Sequence, residues 1–118
     1  MKMIMAIVRP EKSQEVKDAL HEAGYNGMTL IHVTGRGMQA GLRLNNRFGE
    51  FLVDEIEKVQ FEVVVEDTEV EHAVDVICRA ATTGTAGDGR VFIVPIESTC
   101  RISSYNEEHS SESEDGSS

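Results

Sequence analysis

Apolar residues recur along the chain with two different periods, and the same order of periods appears twice. In the first half, an apolar run at residues 4–8 predicts a β-strand. Pro10 then opens a helix at its favoured first turn, and Gly24 ends it. Between them, apolar residues fall at helical spacing, at Val16, Ala19, Leu20 and Ala23. This half therefore predicts a strand followed by a helix with one buried face.

The second half repeats this pattern without a gap. The stretch FEVVVEDTEVEHAVDVICRAA, from Phe61, aligns with IMAIVRPEKSQEVKDALHEAG, from Ile4, strand on strand and helix on helix. Thr68 and Glu71 are spaced as a capping box, and an apolar stripe follows at Val70, Ala73, Val74, Ile77 and Ala81. Another β run follows each helix, first MTLIHV and then RVFIV. The chain therefore predicts β-α-β twice over, an α+β fold of the ferredoxin-like type.

The first strand predicts that the sheet is covered on both sides. With both helices on one side, the other side of the sheet should be polar if it met water. Instead, both faces of the strand are apolar: Met3, Met5 and Ile7 on one, Ile4, Ala6 and Val8 on the other. The economical cover is another copy of the same sheet, so we expect a homo-oligomer with ligand clefts between its subunits.

The two halves are joined by a long connection, at about residues 36–57, and followed by an acidic tail at residues 103–118. The connection exceeds the usual length between packed elements, so it is either a binding loop, which we favour, or a disordered linker. The tail contains five acidic residues, no basic residue and almost nothing to bury, so we expect it to be disordered. Residues 1–102 would then form the single folded domain.

Charge and composition exclude several classes of protein. About half of the net charge of −10 lies outside the tail, so residues 1–102 are themselves acidic. An acidic domain lacks the basic face that binding to nucleic acid needs. No apolar run is long enough for a membrane span, and Cys78 and Cys100 form no disulfide framework, so we expect a cytoplasmic protein without membrane insertion. The four histidines are scattered, and no nucleophile and base are paired, which argues against an enzyme.

Two glycine-rich stretches are candidates for anion binding. TGTAGDGRVFIV offers Gly87, Gly89 and Arg90 at the foot of a strand, where backbone N–H groups and a cation could hold phosphate. Asp-Gly is equally a common turn, so this stretch alone leaves both interpretations open. GRGMQAG raises the same alternatives, with Gly35, Gly37 and Gly41 and the amide of Gln39.

Taken together, these stretches resemble the PII signal-transduction family of trimeric sensors of nitrogen and carbon status. The resemblance is carried by MKMIMAIVRPEK, GMTLIHVTGRGMQAG, KVQFEVVVED and TTGTAGDGRVFIVPIE, and it spans nearly everything before the tail. It implies a homotrimer that binds an adenine nucleotide, ATP, ADP or AMP, in clefts between subunits. The implied nucleotide-binding residues are Thr29, Gly35, Gly37, Gln39, Glu62, Val64, Gly87, Asp88, Gly89 and Arg90, with Arg101 from the neighbouring subunit.

The same resemblance implies a second ligand and a signalling partner. Gln39 would join Mg²⁺ on the nucleotide phosphates, 2-oxoglutarate would chelate that metal, and Lys58 would pair with its distal carboxylate. The long loop would control a target enzyme or a membrane transporter or channel, such as nitrogenase, glutamine synthetase, an ammonium channel or a carbon-uptake transporter. The alternatives are a sensor of ADP, AMP or bicarbonate that ignores 2-oxoglutarate and, more remotely, a structural trimer without a nucleotide.

The sequence departs from the family pattern in the loop and near the phosphates. Phe51 stands where many members carry a modifiable tyrosine, and Gly49 where others carry a phosphorylated serine, so these covalent switches are excluded. Met38 and Ser103 replace two arginines that usually hold the terminal phosphates. Each replacement removes a charge-assisted contact, so we expect ADP or AMP to compete well with ATP.

Overall fold

The computed structural model describes residues 1–35, 43–46, 49–52 and 56–108. Their strands and helices, in chain order, are β1 Lys2–Val8, α1 Ser13–Glu22, β2 Met28–Gly35, β3 Arg43–Asn46, β4 Gly49–Leu52, β5 Ile56–Val65, α2 Val70–Ala81, β6 Gly89–Pro95 and α3 Tyr105–Glu108. Short 3-10 turns precede each helix, at Pro10–Lys12, Asp67–Glu69 and Ile102–Ser104. The first helix thus begins with a 3-10 turn at Pro10 before it becomes α-helical.

The main sheet confirms the predicted ferredoxin-like α+β fold. Its four strands lie in the order β2-β5-β1-β6, and every neighbouring pair is antiparallel. The two central strands, β1 and β5, come from the two halves of the sequence repeat, and α1 contacts α2. The repeat therefore appears in the fold as two β-α-β units whose first strands pair at the centre of the sheet.

One face of the sheet and one stripe of each helix form the hydrophobic core. Fully buried members are Ile4, Ala6, Val16, Leu20, Phe61, Ala73 and Ile77. The helical residues among them belong to the two predicted apolar stripes. Burial alternates along β1 and β5, so every second residue points toward the helices. The odd-numbered residues of β1 lie on the other side of the sheet, which we call the open face.

The open face carries an apolar patch, as the first strand predicts. Register places Met3, Met5 and Ile7 beside Val64 and Phe92, and the last two are each 44% exposed. Ile31 on β2 is also exposed on this face, opposite Gln60. Such a patch on a small domain is typical of an interface.

The predicted capping box at the start of α2 is wrong. Thr68 lies within the 3-10 turn, and no side chain caps either this turn or the helix that follows it. Instead, the N–H of Glu69 donates to Glu66 O at 2.9 Å, and the N–H of Val70 donates to Asp67 O. The turn therefore satisfies these backbone donors itself, which leaves no role for the hydroxyl of Thr68 as a helix cap.

Two stretches differ from their sequence-based description. Within the long connection, β3 and β4 form an antiparallel hairpin, in which Asn46 pairs with Gly49. At the start of the predicted tail, residues 102–108 form a 3-10 turn and the short helix α3, while residues 109–118 lie outside the described part. Within the described ranges, no helix is long and apolar enough to cross a membrane.

Candidate functional site

The register of the sheet brings predicted site residues together on the open face. Thr29 of β2 lies directly opposite Glu62 of β5, and Glu62 lies opposite Met5 of β1. Val64 is the next residue of β5 on the same face. The Gln60 amide donates to Glu62 Oε2 at 2.9 Å and so orients this carboxylate. Thr29, Glu62 and Val64 thus form a patch that combines apolar surface with one anionic acceptor.

Further along the same face, the sheet leads to the connection between α2 and β6. We call residues 82–89, which end with the first residue of β6, the glycine loop. Lys58 is the residue of β5 on the open face beyond Gln60, and it lies opposite Val33. Its ammonium donates to the carbonyl oxygen of Gly87 at 2.5 Å. Partial burial lowers the pKa of Lys58, and the nearby charge of Arg9 lowers it further. Lys58 therefore connects the central strand to the glycine loop.

The carboxylate of Asp88 organises this loop from within. Its Oδ2 accepts the N–H groups of Thr83, at 2.8 Å, and Gly84, at 3.1 Å, and its Oδ1 accepts the Thr83 hydroxyl. The hydrogen bonds from Thr83 contribute most, and a further hydrogen bond from Arg9 adds to them. Together they hold the pKa of Asp88 far below its usual range. The sequence predicts Asp88 as a nucleotide-binding residue, and the structure turns its carboxylate toward its own loop.

Arg9, which no sequence motif indicates, is the cation of this cluster. Its Nε donates to Asp88 Oδ1 at 2.9 Å, and its Nη2 donates to Ala86 O at 2.7 Å and to Thr85 Oγ1 at 3.2 Å. Both Arg9 and Asp88 are about three-quarters buried, with exposed fractions of 24% and 23%. The one signal in the sequence is a basic residue between the end of a β run and Pro10.

The backbone of the loop favours glycine at three positions, Gly84, Gly87 and Gly89. Gly87 and Gly89 have φ values of +94° and +118°, in the region that favours glycine. A β-carbon at position 89 would also stand 1.7 Å from the carbonyl oxygen of Ile7. Arg90 follows at once, on the open face opposite Ile7. Close packing against β1 thus explains Gly89, and it places a cation beside the loop.

The remaining predicted site residues have varied positions. Gly35 ends β2, opposite Ile56, and Arg101 is exposed immediately before the 3-10 turn that contains Ser103. Phe51 belongs to β4. Gly37, Met38 and Gln39 lie outside the described residues. The described residues include no group of three or more histidine, cysteine, aspartate or glutamate side chains that could hold a metal ion.

The arrangement fits an elongated ligand that is anionic at one end. Its other end would be a flat, largely apolar group that can also form a hydrogen bond. Thr29, Glu62 and Val64 would contact that end, and Glu62 can accept from an amino group. The glycine loop, Lys58 and Arg90 lie toward the other end of the face, where two cations and a glycine-rich backbone suit phosphate. Glu62 and Lys58 are four residues apart on one strand, which corresponds to about 13 Å.

Comparison with known proteins gives consistent matches over almost the whole chain. The family model described as "Nitrogen regulatory protein P-II" matches residues 1–106. The chain is 47% identical over 107 residues to "Nitrogen fixation nifHD region GlnB-like protein 1" of Methanothermobacter marburgensis, covering 91% of this chain and 98% of that protein. It is 47% identical over 102 residues to "Nitrogen regulatory protein P-II" of Azospirillum brasilense, covering 86% and 91%. The protein of the same description from Rhodospirillum rubrum is 46% identical over 102 residues, also covering 86% and 91%.

Proposed function

This chain belongs to the P-II family of nitrogen regulatory proteins, and from that premise we propose that it is a regulator operated by adenine nucleotides. Its role in nitrogen-regulatory signalling follows from the family. The ligands, the assembly and the target are our proposal. In it, a homotrimer binds the nucleotide in clefts between subunits, with Mg²⁺ and 2-oxoglutarate as the second ligand, and the occupied clefts set the state of the long loop.

The open face supports the homotrimer. Val64 and Phe92 are each 44% exposed on a face that also presents Met3, Met5 and Ile7. Contact between copies of this face would remove the apolar patch from water and would leave Thr29 and Glu62 at the edge of a cleft. Arg101 of a neighbouring subunit would complete that cleft.

The observation that carries the nucleotide proposal is the placement of two different kinds of group on one face. Glu62 and Val64 supply an acceptor and an apolar surface suited to a base, while Lys58, Arg90 and the glycine loop supply cations and backbone suited to phosphates. Their spacing follows from strand register alone. Adenine is the proposed base, because its exocyclic amino group donates to a carboxylate.

A divalent ion and the second ligand would bind at the phosphate end. Mg²⁺ prefers oxygen ligands and keeps part of its coordination on substrate phosphates, so a site of nucleotide oxygens plus the Gln39 amide oxygen needs no cluster of carboxylates. Bound there, Mg²⁺ would supply two coordination positions for the keto acid. Lys58 would take the distal carboxylate as a point charge.

Signalling would pass through the connection between β2 and β5, which includes the hairpin β3–β4. We propose that it contacts a target enzyme or a membrane transporter or channel. The name of the Methanothermobacter marburgensis relative refers to a nitrogen-fixation region, which makes an enzyme of nitrogen metabolism our first candidate. Phe51 has no hydroxyl to modify, so ligand occupancy would be the signal.

Calorimetric titration of the intact protein tests this function. ATP, ADP and AMP are each added with and without Mg²⁺, followed by 2-oxoglutarate and, separately, by bicarbonate. We expect 2-oxoglutarate to bind only when Mg²⁺ and ATP are present. We also expect Lys58→Ala to abolish that second binding event. Failure of all three nucleotides to bind would refute the nucleotide proposal and would favour a structural trimer.

A second candidate is a sensor of adenylates or bicarbonate that does not respond to 2-oxoglutarate. Two observations favour it: Met38 and Ser103 replace arginines of the family, and Lys58 is already hydrogen-bonded to Gly87 O. ADP or AMP binding at least as tight as that of ATP, without any response to 2-oxoglutarate, would select this candidate.

A further inference from the structure

Two cations, one just after β1 and one on β5, contact consecutive peptide carbonyls of the glycine loop. Arg9, just after β1, donates from Nη2 to Ala86 O at 2.7 Å. Lys58, on β5, donates from Nζ to Gly87 O at 2.5 Å. Both contacts are long-range, since the donors are 77 and 29 residues from their acceptors. The loop is therefore held from the body of the sheet.

These contacts fix the direction of two backbone N–H groups. In a trans peptide the C=O and the N–H of one unit point in opposite directions, and no peptide of the described residues is cis. Because Ala86 O points to Arg9, the N–H of Gly87 points away from it. Because Gly87 O points to Lys58, the N–H of Asp88 points away from Lys58. Each N–H group is thus turned away from the cation that contacts the carbonyl of its own peptide unit.

Successive N–H groups around a residue with positive φ form the type of concave donor site that binds anions. Gly87 has φ +94°, and Asp88 follows it with a carboxylate already saturated by Arg9, Thr83 and Gly84. The carboxylate is turned to these partners within the structure, so it does not occupy the donor site. What remains for a ligand is the backbone of the loop.

We propose that Arg9 and Lys58 act as positioning residues, which hold the peptide units of Ala86–Gly87 and Gly87–Asp88 so that their N–H groups can bind a phosphoryl group. This inference rests on the proposed nucleotide function and deepens it. It gives Lys58 a role before any effector binds, and it gives Arg9 a role through the loop rather than through direct contact with the nucleotide.

The fork geometry of Arg9 distinguishes positioning from simple attraction of charge. Nε contacts Asp88 while Nη2 contacts Ala86 O and Thr85, so one guanidinium joins three points of the loop. A lysine at position 9 keeps the charge but has no planar fork, so it cannot make these contacts together. Arg9→Lys should therefore lose most of the effect if the role is positional.

The test compares ATP affinities of full-length variants in the absence of 2-oxoglutarate. Arg9→Met, Arg9→Lys and Lys58→Met should each bind ATP about tenfold more weakly than the wild type, the order expected for loss of a hydrogen bond to a charged group. Arg79→Met is the matched control, because Arg79 is 80% exposed on α2 and pairs with Asp75. It should bind ATP with wild-type affinity. Thermal melting of each variant checks that the chain is folded.

A second measurement does not depend on any variant. In ¹⁵N-labelled wild type, ATP should shift the amide resonances of Gly87 and Asp88, while the amide of Arg79 should stay in place. Unshifted Gly87 and Asp88 amides on saturation with ATP would overturn the inference, as would wild-type ATP affinity in Arg9→Lys or Lys58→Met. A wild type that binds no ATP would overturn the proposed function and this inference with it.

Discussion

Gly89 lies so close to Ile7 that a β-carbon on residue 89 would stand 1.7 Å from the Ile7 carbonyl oxygen. The two residues are at the end of the β1–β6 pairing, where Val8 is opposite Gly89. Gly89 therefore determines how closely the end of the glycine loop packs against β1. Its φ of +118° adds a second reason against any side chain.

Gly89→Ala should destabilise the protein by about 3 kcal/mol, since it combines a backbone clash with an unfavourable φ. Urea unfolding measures the change. Gly24→Ala is the control for φ alone, because Gly24 has φ +95° and a β-carbon there would meet nothing within 4 Å, and it should cost about 1 kcal/mol. Gly27→Ala has neither problem and should be nearly neutral. Equal stabilities of Gly89→Ala and Gly24→Ala would refute the clash.

The assembly prediction uses two neighbouring residues on opposite faces of β6. Phe92 lies opposite Met5 on the open face, whereas Ile93 lies opposite Ile4 on the helix side, and they are 44% and 48% exposed. Phe92→Asp would bury an unpaired carboxylate in the proposed contact between copies, so we expect the trimer to dissociate. Ile93→Asp should leave it intact. Sedimentation velocity distinguishes the two outcomes, and a trimeric Phe92→Asp would contradict the open face as the interface.

Much of this arrangement could be predicted from the sequence because it depends on local periods. The apolar run at residues 4–8 indicated β1, and the internal repeat indicated two β-α-β units. The role of Arg9 could not be read in this way, since it depends on a contact with Asp88, 79 residues away. The predicted capping box is wrong for another reason. Thr68 and Glu71 have the right spacing, but the spacing does not show that a 3-10 turn already satisfies the backbone donors there.

Glu62 is expected to select the base. One of its oxygens accepts from Gln60, and the other has no hydrogen-bond partner among the described residues, so it can accept from the amino group of adenine, whereas guanine presents an acceptor at that position. Glu62→Leu should weaken ATP, ADP and AMP by the same factor, about tenfold, and should reduce the preference for ATP over GTP. Glu66→Leu, an exposed change just beyond β5, is the control. A loss that grows with the number of phosphates would place Glu62 at the wrong end of the ligand.

Low pH should lower the free energy of unfolding of the protein, because the carboxylate of Asp88 stabilises the loop only when it is ionised. Hydrogen bonds from Thr83 and Arg9 hold the folded-state pKa of Asp88 below the unfolded value of about 3.9. As pH falls through this range the unfolded chain takes up the proton first, so the stabilisation is complete above about pH 4 and is lost below it. Asp88→Asn is uncharged at every pH and cannot show this loss.

Urea unfolding between about pH 2 and 5 measures the effect. The stability of the wild type should fall more steeply toward acid than that of Asp88→Asn, which should be the less stable protein at about pH 5 because it loses the ion pair with Arg9. Asp18→Asn changes an exposed carboxylate on α1 that accepts only from Gln14 among the described residues, and it should keep the wild-type slope. Parallel curves for the wild type and Asp88→Asn would mean that the loop does not hold Asp88 ionised. The glycine loop would then not be organised around this carboxylate.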